Sequence, residues 1–291
     1  MQTVERLQRP DVLYGHFLYP SGAVVAKLRA KLKIPSVIAV GDDSVSEHLE
    51  SFSQESCKKL FANIDGILAV SSKNKRDCEN LLGIPEDKIL MLPNGVDLSR
   101  FYPRDRVRMR LKFGLPLDRF IIAFTGHFNE RKGPHRLIEA VSGLKGIGLV
   151  LAGEGPVEPG GDNVMFKGVL ENAVLPELLS AADIFVLPTL MEGSCNAILE
   201  ALACGLPVVT SRGEFNDDIV DDDVSIRVDP MDIREIRRAV VELSENHELR
   251  NRMSSAALSR MGQYDVNVRA KKIVEWICMI RKKSSHECAL V

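Results

Sequence analysis

Long apolar runs are missing from this chain: none approaches the roughly 20 residues a membrane-spanning helix needs. The opening residues, MQTVERLQRP, lack the apolar centre of a secretory signal. Charge of one sign is also missing. A formal net charge of −2 gives no reason to expect a nucleic-acid partner. The six cysteines, at 57, 78, 195, 204, 278 and 288, show neither close pairing nor metal-ligand spacing. That pattern fits reduced thiols and a cytoplasmic chain. There is no internal repeat and no low-complexity tract.

What is present is ordinary for a globular protein, with 45% hydrophobic and 27% charged residues. At 291 residues the chain is too long for one typical core and fits two domains. Short apolar runs alternate with amphipathic segments. DVLYG, PSVIAV, DGILAV and KILML read as strands, and residues 22–33, 54–62 and 72–82 as helices. Ser71 and Ser72 are placed to cap the last of these helices and Gly83 to end it. This βαβ series implies a parallel sheet with right-handed crossovers. Pro93, Asn94, Gly95 and Pro103 break it, which puts a domain boundary near residues 93–104.

A second series follows. RFIIAFTG, IGLVLAG and NVMFKG read as strands, residues 133–141 and 175–181 as helices, and SIRVD as a late strand before helices near 232–243 and 248–261. Residues 266–283 form a last amphipathic helix with Trp276 on its apolar side, and the tail SSHECALV is expected to fray. Within this series one stretch, residues 184–210, organises the rest: IFVLPTLMEGSCNAILEALACGLPVVT. IFVL is too short for a helix and suits a buried parallel strand, NAILEALACG has helical composition with Gly205 as its C-cap, and PVVT is the next strand. Such a helix start lies beyond the carboxyl end of a strand, where N–H groups and the helix dipole favour an anion such as a diphosphate. Glu192 and Glu200 bracket that place. Glu200 sits among apolar and small residues, where a carboxylate requires hydrogen-bond donors.

Three loops of this series follow strands and should converge on one crevice by the switch-point rule. The first is GHFNERKG, where Arg131 and Lys132 stand just before a helix and suit a diphosphate as fork and point charge. In the second, Gly153 and Gly155 let the backbone approach a ligand closely. The third carries Glu192. Taken singly, these are a solvated charge cluster, a turn and a surface carboxylate.

The ordered set LPNGVDLSRF, FTGHFNERKG, LAGEGP, FKGVL and AADIFVLPTLMEGSCNAILEALACGLPVV resembles the retaining glycosyltransferases of the group-1 class, family 4, with their E-x7-E motif. The likeness runs from about Asp11 across nearly the whole chain. It implies an α/β chain of GT-B fold with two Rossmann-like domains, the amino-terminal one incomplete. The corresponding ranges are 1–98, 99–264 and a helix with its tail, 265–291, packing back towards the first domain. It also implies a nucleotide-diphosphate sugar as donor, a glycan or lipid-linked acceptor, retention of configuration, and neither metal nor cofactor.

By the same resemblance the catalytic groups are Glu192 beside the sugar, Lys132 at the diphosphate, and His16 facing the reacting sugar and acceptor. Arg131 assists Lys132, and His127 and Gly126 belong to the same loop, with Gly153 and Gly155 from the next. The backbone of Gly193, Ser194, Cys195 and Asn196 donates to the diphosphate, Glu200 holds the ribose hydroxyls, and the base lies against residues 168–170, at Val169 and Leu170. Two departures stand out. Many relatives carry Arg where this chain has His127, so a permanent cation is replaced by a titratable one. The amino-terminal domain also begins in mid-pattern, since the family carries further βαβ elements and a glycine-rich loop before the segment resembling residues 11–15.

Other clusters read more plainly. Asp217, Asp218 and Asp221 to Asp223 fit a solvated turn better than a metal site, and Cys195 has no base beside it in sequence. Lys27, Arg29, Lys31 and Lys33, and the basic cluster at 100–112, fit solvated helix faces better than an anionic lipid surface. His48, His135, His247 and His286 show no ligand spacing. The expected function is sugar transfer in surface polysaccharide or glycolipid assembly, in the cytoplasm or peripherally at the inner face of a membrane. Two competing readings are a non-catalytic nucleotide-sugar-binding remnant or partner subunit, and a phosphorylase-like enzyme. The second of these lacks its lysine-linked cofactor signature.

Overall fold

The computed structural model describes residues 9–41, 45–46 and 53–288. His48, most of the MQTVERLQRP start and the last three residues of the tail therefore lie outside the described residues. Two compact units are formed: Met1–Pro93 with Glu192–Ser194 and Val268–Val291, and Asn94–Met191 with Cys195–Asn267.

The first unit holds β1 (Leu13–His16), α1 (Ala23–Leu32), β2 (Ser36–Val40), α2 (Gln54–Phe61), β3 (Gly66–Ala69), α3 (Ser72–Leu82) and β4 (Ile89–Met91). Its strands form a parallel sheet in the order β1-β2-β3-β4. Strands β2 and β3 are buried at every position, which is why their sequences are continuous apolar runs and do not alternate. Ser71 accepts the Asn74 N–H at the start of α3, and Gly83 closes it in the left-handed conformation at φ +68°. Asp65 ties helix to sheet: it takes both arms of Arg29 at 2.6 and 2.9 Å and the Ser36 N–H at 2.8 Å.

The second unit holds α4 (Arg106–Lys112), β5 (Phe120–Thr125), α5 (Pro134–Val141), β6 (Ile147–Ala152), β7 (Val164–Gly168), α6 (Leu175–Ala181) and β8 (Ile184–Leu187), then α7 (Asn196–Ala203), β9 (Val208–Ser211), β10 (Ser225–Val228), α8 (Ile233–Glu245) and α9 (His247–Arg260). Its six strands are parallel, in the order β10-β9-β8-β5-β6-β7. Phe124 of β5 and Phe185 of β8 are fully buried at the centre; each contributes roughly 2–3 kcal/mol by burial alone. A bridge from Val96 to Asp265 closes the unit. The final helix, α10 (Val266–Cys288), belongs from Val268 onward to the first unit, where Ile280 and Trp276 cover Gly66.

Three features differ from the expectations. The basic cluster at 100–112 is largely solvated, as expected, on a short helix that Asp105 caps by accepting the Arg108 N–H, and the exception is Arg110. On that helix, Arg110 is buried and paired with Asp183 at 2.6 Å, and Arg106 reaches the same carboxylate at 2.8 Å. Arg29 of the amino-terminal basic run is likewise spent on Asp65, leaving Lys27, Lys31 and Lys33 exposed. Finally, α10 continues through residues 284–288, where fraying was expected. Among the described residues no helix is long and apolar enough to cross a membrane.

Candidate functional site

In the second sheet the chain passes from β5 to β6 and β7 on one side, and from β8 to β9 and β10 on the other. Strands β5 and β8 are neighbours, so the winding direction reverses between them. Right-handed crossovers in opposite directions put the two connecting helices on opposite faces and leave a crevice at the carboxyl ends of β5 and β8. The printed register between these strands covers only Ile122↔Ile184 and Ala123↔Phe185, whereas β5 follows β6 to Thr125↔Ala152. The crevice opens beyond those pairs.

The loop after β5 is shaped from within. Asn129 accepts the Lys132 N–H on its side chain at 2.8 Å and the Gly133 N–H on its carbonyl at 3.0 Å. This turn brings the alkyl stem of Lys132 beside Gly126, with carbons 3.8–3.9 Å from the point where a Gly126 Cβ would stand. His127 in the same loop is exposed. Two ladders bind the loop to its neighbour after β6: Gly126 N–H donates to Ala152 O at 3.0 Å and Phe128 N–H to Glu154 O at 2.7 Å. Gly153 must be glycine, since its φ is +153° and a Cβ would stand 1.9 Å from Gly126 O. Gly155 lies against the Phe128 backbone in the same way. Gly153 N–H in turn donates to Gly168 O at 2.9 Å, which joins the segment carrying Val169 and Leu170 to the same set. Val169 is 64% exposed.

The loop after β8 is tied to the loop after β5. Leu190 N–H donates to Arg131 O at 2.9 Å, and Arg131 Nη1 donates to Met191 O at 3.2 Å. Arg136, on α5, donates to Pro188 O at 2.7 Å and to Glu130 O at 2.8 Å. Ser211 Oγ donates to Thr189 O from the end of β9. Beyond Met191 come Glu192 and Gly193, both buried, the half-buried Ser194, and Cys195, the buried N-cap of α7. No side chain caps that helix, so Asn196 and the residues after it present backbone N–H groups at its start. Glu192–Ser194 belong to the first unit and Cys195–Asn267 to the second.

Glu200, on α7, is mostly buried, and burial pushes its carboxyl from 4.5 up to about 7 against the opposing pull of Arg100. Arg100 also donates to Asn172 Oδ1 at 2.5 Å, two residues beyond Leu170. A carboxyl raised in this way has no strong donor offsetting its burial. His16 is at the end of β1 in the first unit, exposed and edge-on to Phe17 at 4.3 Å between ring centroids.

The acidic stretch at 217–223 is held by arginine. Arg227 pairs with Asp217 and Asp222, and Arg260 with Asp221 and Asp223. Among the described residues no three His, Cys, Asp or Glu side chains are grouped to hold a metal ion. The reading from sequence missed Asn129, Arg100 and Arg136. An Asn three residues before Lys132 is a recognisable turn signal. Arg100 and Arg136 carry no such signal, because each looks like one more surface arginine.

Comparison with known proteins agrees with this geometry. Residues 105–260, over half of the chain, match the family described as glycosyl transferases group 1. Residues 2–100 match glycosyltransferase family 4. TuaC of Bacillus subtilis, named for teichuronic acid biosynthesis, is 31% identical over 210 residues, which is 69% of this chain and 52% of TuaC. WcaL of Escherichia coli K12, named for colanic acid biosynthesis, is 30% identical over 241 residues, 75% of this chain and 57% of WcaL. The chain thus spans somewhat more than half the length of these relatives. Among solved structures, sucrose-phosphate synthase of Thermosynechococcus elongatus matches with a TM-score of 0.83 at 20% identity, covering 96% of this chain and 76% of the synthase. Anabaena HepE in complex with UDP matches with the same TM-score and identity, covering 96% of this chain and 81% of HepE. With the GT-B fold, two parallel α/β sheets and the matched family regions together, the chain belongs to the group 1 glycosyl transferases.

Proposed function

We propose that this chain transfers a hexosyl group from a nucleoside-diphosphate sugar to a glycan or lipid-linked acceptor, with retention at the anomeric carbon, in surface polysaccharide or glycolipid assembly. The observation that supports this most is the crevice between β5 and β8, where Lys132, Arg131 and the start of α7 belong to loops that are hydrogen-bonded together. The names of TuaC and WcaL and the UDP bound to HepE support the donor chemistry and the polysaccharide setting.

As the bond from the sugar to the diphosphate breaks, negative charge moves onto the leaving group. Lys132, Arg131 and the N–H groups of residues 194–196 stand ready where that charge develops, which is the efficient place for fixed dipoles and cations. They supply the positive charge, so the reaction requires no divalent metal. Positive charge builds on the sugar ring, and Glu192 offsets it. The acceptor hydroxyl attacks on the face the diphosphate leaves and gives its proton to the departing phosphate oxygen, so no side chain acts as nucleophile. Glu200 holds the ribose hydroxyls, residues 168–170 hold the base, and His16 serves the acceptor side.

A panel of UDP- and GDP-sugars tests the reading by thermal shift. A matching donor at about 100 times its Kd adds about 2.7 kcal/mol of stability, and Glu200→Ala cuts that gain to about 1.4 kcal/mol or less. A panel that leaves the melting temperature unmoved refutes the donor site. Slow donor hydrolysis that depends on Glu192 and Lys132 separates a transferase from a protein that only binds the donor.

A further inference from the structure

Arg136 is a buried guanidinium, 4% exposed, with no assigned role in sugar transfer. It occupies the third position of α5, whose first residue is Pro134 and whose N-cap is Gly133 at φ +69°. Side chains in a helix lean towards its N-terminus, and this one folds back over Gly133 so closely that a Cβ there would stand 2.2 Å from Nη2. The fork then spans two loops. Nη1 donates to Glu130 O at 2.8 Å, and Nη2 donates both to Arg131 O at 3.2 Å and to Pro188 O at 2.7 Å. Glu130 and Arg131 lie in the loop after β5, whereas Pro188 opens the loop after β8.

We propose that Arg136 is a positioning residue for the donor diphosphate, locking the loop of Arg131 and Lys132 to the segment that leads into Glu192 and the start of α7. The inference rests on the donor reading given above and adds to it the element that holds the two halves of the phosphate cradle in register. Lysine is a poor replacement, because its single ammonium on a flexible stem lacks the second fixed nitrogen, here the Nη1 that holds Glu130 O while Nη2 holds Arg131 O and Pro188 O. Among the described residues Arg136 is ion-paired with no carboxylate: its direct partners are those carbonyls and, at 3.4 Å, His135 Nε2. Burial in fact disfavours its charge, which the Glu130 carboxylate supports only by longer-range attraction. A buried cation kept without a direct counter-ion leaves the loop above it positive, which suits an anion. The arrangement also holds catalytic groups through hydrogen-bonded main chain, the kind of support that small displacements make costly.

The test is calorimetric titration of the wild type, Arg136→Lys and Arg136→Leu with UDP and GDP, and with uridine and guanosine. The nucleosides engage Glu200 and residues 168–170 but not the cradle. Both variants should weaken the diphosphate by about tenfold or more, while the parent nucleoside keeps its affinity within about twofold. A general structural role would weaken diphosphate and nucleoside together, and that outcome overturns the proposal, as does unchanged diphosphate affinity. If Arg136→Leu fails to fold, Arg136→Lys, which keeps the charge and loses the fork, decides the matter alone. A wild type that binds neither UDP nor GDP removes the donor reading and this inference with it. Normal wild-type binding with unaffected variants removes the inference only.

Discussion

Both sheets are built from the same repeating piece, a buried parallel strand followed by a helix, yet they differ in the order of assembly. In the first unit the strands add in one direction, β1-β2-β3-β4, so among the described residues the winding never reverses. In the second it reverses between β5 and β8. Crossovers of one hand that all run the same way stack their helices on one face, and neighbouring loops leave no gap between them. A reversal makes the gap. The polar groups follow that difference. At the reversal lie a buried arginine, a cluster of backbone bonds and two further cations, whereas the end of β1 presents exposed rings, Tyr14 at 49%, Phe17 at 42% and Tyr19 at 51%. The location of the crevice proposed to hold the diphosphate is therefore set by strand order before any side chain is chosen.

That comparison breaks most visibly at Lys132. Lys132→Ala should lower donor hydrolysis or transfer by about 100- to 1,000-fold with little change in melting temperature, because the side chain is half-exposed. An unchanged rate would mean that the reversal in the second sheet is not where the chemistry happens.

Glu200→Ala comes next, weakening UDP and uridine alike by about 10- to 100-fold, the worth of hydrogen bonds to a charged group. A selective loss of UDP alone would move Glu200 from the ribose to the phosphates. The same residue makes a pH prediction. Since its carboxyl rises from 4.5 to about 7 on folding, the folded chain holds more protons than the unfolded chain between those values. Stability therefore falls as pH rises from about 4.5 to about 7, by up to about 3 kcal/mol, and stays lowered above it. Chemical denaturation across that window should show the slope, and Glu200→Gln should flatten it.

The smallest effect at the donor site should come from the first unit. Gly66→Ala places a Cβ 2.5 Å from Ile280 Cδ1 and 2.7 Å from Trp276, which should cost about 1–3 kcal/mol of stability by overpacking. UDP affinity should stay within about twofold of the wild type. A large loss of affinity would show that the two units are not independent in donor binding.

Much of the fold was legible because buried parallel strands read as short apolar runs bounded by glycine or proline. IFVL, GILA and SVIAV all stand where the runs put them. The serine cap at 71 and the left-handed Gly83 were equally local signals. Helix α4 was legible as a basic helical face but not in its anchoring, since RVRMRLK owes its position to the Asp105 cap and to the buried Arg110–Asp183 pair, whose members lie 73 residues apart. Of the candidate site, the glycines and Lys132 announce themselves through turn chemistry and position before a helix. Arg136 does not, because its function depends on a carbonyl 52 residues away. Local sequence records what a residue does to its own turn and is silent about what it does to a distant one.

The buried carboxyl of Glu200 has one more consequence. If nucleoside binding requires the ionised form and the free protein titrates at about 7, then at neutral pH each binding event expels about half a proton. The heat measured for UDP would then depend on the ionisation enthalpy of the buffer, so titrations in phosphate and in Tris would disagree for the wild type and coincide for Glu200→Gln. Donor binding by this chain would be, in part, an acid-releasing reaction.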